Sequence, residues 1–190
     1  METAKATLVH YVVDARASRF TVQAFASGIL SAMGHNPRIG IRAFTGEVDF
    51  NAEALQANHL RLSMKANSLG VLDDISDKDR REIELAMNEQ VLESARYPDI
   101  IYEAPAVTVT HLGGSLYSAV LLGALSFHGT THNQSVTARI ALFDEMLRSS
   151  GEFTLKQSDY GIKPVSVAGG ALKVKDELKF SFEMVARKQE

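Results

Sequence analysis

The chain has 190 residues, with 20 Lys and Arg against 23 Asp and Glu for a formal net charge of -3, and 45 % of it is hydrophobic. That balance gives no electrostatic reason to expect nucleic acid or an anionic membrane surface, and the absence of cysteine excludes disulfides and thiolate chemistry. No apolar run approaches the ~20 residues that span a bilayer. Met1-Glu2-Thr3-Ala4-Lys5 carries no basic n-region followed by an apolar core, so no secretory leader is expected. The expectation is therefore a cytoplasmic protein, or a periplasmic one if a leader has been removed, and the length suits one domain over residues 1–190.

Period-two alternation, the mark of a half-buried strand, recurs along the chain. Phe20, Val22 and Ala24 alternate with Thr21 and Gln23. Ile39, Ile41 and Ala43 hold one phase, and Phe44, Gly46, Val48 and Phe50 the other. A flip of this kind within one extended stretch predicts a β-bulge. Leu60, Leu62, Met64 and Ala66 form another apolar face. A helix is predicted over 77–94: Ser76 and Asp79 have capping-box spacing, Ile83, Met87 and Val91 form a stripe, and Pro98 lies beyond the end. A short helical turn is also compatible with Gly28–Met33. Segments 99–109 and 115–127 read as strands whose faces the weaker alternation does not assign. Val136, Ala138, Ile140 and Leu142 alternate clearly, as do Phe153 and Leu155.

The final stretch, from about Ala171 to Arg187, is the cleanest. Leu172, Val174, Leu178, Phe180, Phe182, Met184 and Ala186 share one face, interrupted by Asp176. It exceeds the usual strand of roughly 3–10 residues, so it should bend. One isolated helix does not make a βαβ repeat, so the expected fold is all-β and antiparallel, with one or two short helices.

Few residues propose chemistry. His35 lies in Gly34-His35-Asn36-Pro37, a turn context. His128 and His132 flank Gly129-Thr130-Thr131 and would face one another across a hairpin loop. A zinc site needs three or four converging ligands; the sequence offers a pair, so solvated turn histidines are expected and no metal or cofactor. No Gly-x-Ser-x-Gly elbow is present, and Ser126 and Ser158 read as strand and turn residues. Asp73, Asp74, Asp77 and Asp79 lack the glycine and final glutamate of a calcium loop and suit a helix start instead. Gly169-Gly170 reads as a tight turn. What remains is the apolar face of the strands. About eight strands close into a barrel whose interior either fills with side chains or holds one small ligand.

Taken in order, several segments resemble the YceI-like family. They are Tyr11-Val12-Val13-Asp14 with Ser18-Arg19-Phe20-Thr21-Val22, then Phe44-Thr45-Gly46-Glu47-Val48 and Arg96-Tyr97-Pro98-Asp99-Ile100. Gly123 to Thr131, Ser158-Asp159-Tyr160-Gly161-Ile162 and Val174-Lys175-Asp176-Glu177-Leu178 complete the series. The sequence departs from the family at Ala17, where many members carry histidine, and its helical segment is longer. The resemblance implies an extended, eight-stranded, antiparallel lipocalin-like barrel. It also implies non-enzymatic binding, storage or transport of a long amphiphilic chain, a polyisoprenoid or quinone-type lipid. Within Val174 to Leu178, Asp176 then reads as a bend or bulge.

Alternation alone nominates Phe20, Val22, Leu62, Met64, Ile140, Phe180, Phe182 and Met184 as lumen-lining residues. A head group at the mouth would meet His35, Asn36 or Arg38. Two rival readings stand beside this one: a histidine- or metal-dependent enzyme, and a packed barrel acting as an interaction module, dimerising through an exposed strand or the 77–94 helix.

Overall fold

The computed structural model describes residues 8–27, 36–52, 58–167 and 172–189. His35, the turn expected near Gly28–Met33, the Gly169-Gly170 turn and Ala171 lie outside the described residues.

In chain order the strands are β1 (Val9–Val13), β2 (Arg19–Gln23), β3 (Ala26–Ser27), β4 (Arg38–Ile41), β5 (Phe44–Phe50), β6 (Asn58–Lys65) and β7 (Leu69–Val71). Helix α1 (Asp77–Ala86) follows, then β8 (Asp99–Gly113), β9 (Leu116–Phe127), β10 (Thr130–Leu142) and β11 (Met146–Lys156). The chain ends with β12 (Ser166–Val167), β13 (Leu172–Val174) and β14 (Glu177–Lys188). The ladder β1-β5-β6-β8-β9-β10-β11-β14 is antiparallel throughout and closes through β14 pairing with β1, a closed eight-strand barrel. Closure removes the open edges that a flat sheet of these strands would leave.

Three neighbouring strands are broken at the same level of the wall. β1 and β2 both run antiparallel to β14, with Val13 opposite Ala186 and Arg19 opposite Glu183, and are interrupted by residues 14–18. The Asp14 carboxylate organises that interruption, accepting from the Arg16 and Ala17 N–H groups and from Arg187 Nε at 2.7 Å. β4 and β5 are separated at Arg42 and Ala43, both exposed. β6 and β7 are separated by the 3₁₀ turn Ala66–Ser68. The phase flip read as a bulge is thus a strand break: β4 pairs with β2, whereas β5 pairs with β1 and β6. Beyond the breaks, β2, β4 and β7 continue from β14 as a short extension of the wall.

The expected helix is two pieces, α1 and a π turn, Met87–Val91. Ser76 caps α1 by accepting from the Asp79 N–H, and its hydroxyl donates to the Asp79 carboxylate. The π turn adds a residue and rotates the face, so the buried stripe differs from the expectation. Ile83 is exposed, while Met87, Val91 and the fully buried Leu92 pack on the core. The helix covers the free edge of β7 with side chains: the Val71 N–H donates to Glu84 Oε1 at 2.9 Å, and Arg80 donates to the Val71 and Asp73 carbonyls.

The long final stretch is broken at Asp176 into β13 and β14. Asp176 accepts from the backbone N–H of Ser158 at 2.8 Å and from its hydroxyl. Its carboxyl is thereby held below the ordinary 3.8, the Ser158 hydroxyl being the main cause.

Candidate functional site

The inward faces of the barrel strands enclose an apolar cavity of about 90 Å³. Seven of the eight residues nominated from alternation line it: Phe20, Leu62, Met64, Ile140, Phe180, Phe182 and Met184. Val22 is buried on the same face but lies outside the lining. Asn36 and Arg38 do not line the cavity either. Asn36 Oδ1 accepts from the Ala26 N–H, and Arg38 is ion-paired with Asp73 at 3.1 Å.

The alternation reading missed much of the opposite wall, notably Tyr102, Val107, Leu121, Leu125 and Leu147. In β8 the face changes across a register shift between Glu103 and Ala106, at Pro105. Ile100, Tyr102 and Ala104 point inward before it, Val107 and Val109 after it. The proline inside the run was the available signal. Tyr102 carries the one phenol of the lining. Its hydroxyl donates to the Gln134 carbonyl at 3.0 Å, and burial pushes its pKa up to about 12.

Volume decides what the cavity holds as it stands. Sites for drug-sized ligands run to about 300–1,000 Å³, and an apolar cavity of about 150 Å³ takes benzene. A chain of several isoprene units therefore requires side chains to move. The partly buried aromatics of the lining are Phe153, Phe180 and Phe182: Phe153 stacks on Phe180 at 5.0 Å, and Phe182 on the buried Phe20 at 6.3 Å.

Above the cavity the wall forks. β10 and β11 pair only from Ala138–Gly151 to Leu142–Leu147. β10 stays with β9 as far as Thr130, and β11 stays with β14 as far as Lys156. Gly151 sits at the branching point, where a Cβ would lie 2.6 Å from the Thr137 carbonyl oxygen and 2.7 Å from the Phe182 ring. The 3₁₀ turn Gln157–Tyr160 folds back into the fork, with Tyr160 fully buried against Phe127.

Two histidines hold that turn. The β9–β10 loop is His128-Gly129, both at positive φ (49° and 74°), the backbone of a two-residue hairpin turn. The loop is thus one step earlier than expected, and the histidines do not face one another. Both reach the 157–160 turn instead. His128 Nδ1 lies 3.0 Å from the Tyr160 carbonyl and Nε2 2.9 Å from Glu93 Oε2; His132 Nε2 lies 2.7 Å from the Asp159 carbonyl. A carbonyl only accepts, so His128 Nδ1 donates, and Nε2 donates to the carboxylate when the ring carries its second proton. Among the described residues no three His, Asp or Glu are placed to hold a metal ion. No helix among them is long and apolar enough to cross a membrane.

The YceI-like domain profile matches residues 11–186, nearly the whole chain. This chain belongs to the YceI-like family. Among solved structures, this YceI-like protein is similar to BcnA of Burkholderia cenocepacia, with 16 % identity, a TM-score of 0.68, and 91 % of this chain and 98 % of that one covered. It is similar also to a polyisoprenoid binding domain from Saccharophagus degradans implicated in plant cell wall breakdown, with 14 % identity, a TM-score of 0.69, and coverage of 96 % and 100 %. The YceI protein of Campylobacter jejuni shares 14 % identity at a TM-score of 0.61, with coverage of 83 % and 88 %. At these identities the likeness is one of fold. No curated protein matches the chain.

Proposed function

We propose that this YceI-like protein binds a long-chain amphiphilic lipid of the polyisoprenoid or prenyl-quinone class inside the barrel, as a carrier or reservoir without catalysis. The observation that carries the reading is the enclosed cavity, whose wall is almost wholly apolar. The family membership and the similarity to a barrel described as polyisoprenoid binding support it. Each methylene-like unit buried contributes roughly 0.8 kcal/mol before ordering costs, so a long tail binds without a polar anchor. Phe20, Leu62, Met64, Ile140, Phe180, Phe182 and Met184 contact that tail.

The test is native mass spectrometry of freshly purified protein, organic extraction, and uptake of prenyl alcohols and prenyl quinones. Ala138 is buried and lines the cavity; Ala138→Trp fills it and lowers uptake at least about tenfold, with an overpacking cost of about 1–3 kcal/mol read separately from urea unfolding. Protein that purifies ligand-free and takes up neither lipid overturns the reading. That outcome favours the packed interaction barrel, for which the small cavity volume speaks.

A further inference from the structure

The outer face of β8, β9 and β10 has no part in holding a lipid in the barrel. Between Glu103 and Arg139 the chain runs 35 residues, 104–138, without an Asp, Glu, Lys or Arg, although 23 % of the whole is charged. That run makes up most of the three strands. Burial accounts for the apolar inward positions, but the outward ones face water and need another reason. In register across the wall, Leu122 lies between Ala106 and Ser135, and Val120 between Thr108 and Thr137. Leu122 is 63 % exposed, Leu116 53 % and Val120 39 %, and the four flanking side chains are exposed too. An apolar row along β9 thus runs between two rows of small side chains, most of them hydroxyl-bearing. The outer faces to either side are charged, with Arg61 and Lys65 exposed on β6 and Arg148 and Glu152 on β11.

We infer that this face is a contact between two copies of the chain, packed sheet against sheet about a two-fold axis. An interface core is depleted of charge and ringed by a polar rim, which is the order of the rows here. A two-fold contact uses the same patch on both copies. A neutral face can be set against itself without desolvating a charge, which the flanking faces cannot. Three strands about 4.8 Å apart, each offering about ten residues at ~3.4 Å, present roughly 500 Å² in projection. With side-chain relief that reaches the low end of specific interfaces, about 600 Å² per partner, and gives a dimer of micromolar strength. A membrane surface fits less well, because the rows beside β9 carry none of the Lys, Arg or Trp side chains of an interfacial anchor.

The experiment is sedimentation velocity over a series from low to high micromolar protein. The parent chain passes from monomer to dimer across the series. Leu122→Lys and Val120→Lys each raise the dissociation constant at least about tenfold, because the two-fold contact buries two unpaired ammonium groups. Leu85→Lys, the same change at a leucine of α1 that is 58 % exposed, leaves it unchanged. The chain has no cysteine, so Val120→Cys places a single thiol on the central row. A short bis-maleimide joins two Val120→Cys chains and does not join two Leu85→Cys chains. A parent that stays monomeric throughout, or a Leu122→Lys variant that dimerises like Leu85→Lys, overturns the assignment. So does a monomer that binds neutral phosphatidylcholine vesicles and loses that binding on Leu122→Lys, which would give the face to a membrane.

Discussion

β10 has two neighbours and treats them differently. Along β9 it is paired from Thr130 to Ala141; along β11 it is paired only from Ala138 to Leu142. The apolar alternation of β10 extends one position beyond its pairing with β11: Val136 is buried like Ala138 and Ile140, whereas Gln134 and His132 on the same phase are not. Side-chain pattern therefore sets which face is inside, while pairing depends on what the partner strand does next. β11 departs at Gly151, the residue that lets its backbone pass close to Thr137, and leads into a turn that packs its own tyrosine into the gap. One junction is a continuous wall and the other is a wall closed by a plug.

Substitutions can break this comparison. The largest effect is expected in the continuous wall. Leu121 is fully buried between β8 and β10, and Leu121→Ala should cost about 2–5 kcal/mol in urea unfolding. Phe153, beside the fork, is only partly buried. Phe153→Ala should cost less than Leu121→Ala despite removing a larger side chain, while enlarging the cavity. Equal losses would erase the distinction between the junctions.

His128 is the next test, since it ties the plug to the wall. His128→Ala loses the contacts to Glu93 and to the Tyr160 carbonyl, and hydrogen bonds contribute about 0.5–1.5 kcal/mol each. It also keeps a Cβ at φ 49°. His128→Gly loses the same contacts but relieves the left-handed backbone, so it should be about 1 kcal/mol less damaging. Chemical denaturation of the two variants side by side checks the order, and indistinguishable stabilities would mean that the turn has been rebuilt.

The smallest effect is at Asp176, which fixes the plug from the β14 side. Its carboxyl titrates lower in the fold than the ordinary 3.8, so the ionised form is the one the fold favours. Its contribution is complete above that ordinary value and is lost as pH falls through the depressed one. Asp176→Asn should therefore flatten the acid limb of stability below about pH 4. It should leave the limb above pH 5 parallel to that of the parent protein. An unchanged acid limb would remove Asp176 from the hold on the turn.

The comparison also explains what could be read from the sequence. Most strands of the wall, the position of α1 and seven of the lining residues follow from local patterning, because alternation and capping are local properties; β1 does not announce itself by alternation, and the faces of β8 and β9 do not either. Val22 shares a face with Phe20 yet misses the cavity, because alternation gives the face and not the height along the barrel. Asp176 was legible as an interruption, but its partner, Ser158, is known only once β11 and β14 are side by side. Ile83 fell out of the buried stripe because a π turn, which no local spacing announces, rotates the helix after Ala86. The fork was hidden for the same reason as most pairing: it is a statement about two strands, and the one local hint was a glycine inside β11.

The way α1 meets β7 bears on self-association. β7 is a short strand at the end of the wall extension, paired on one side with β4 and, among the described residues, with no strand on the other. A bare strand edge of this kind recruits strands from other molecules. Here Glu84 takes up the Val71 N–H, and Arg80 takes up the carbonyls of Val71 and Asp73. Two helical side chains thus stand where a twelfth strand of the sheet would dock, and they make the end of an extended sheet unreadable to another copy of the chain.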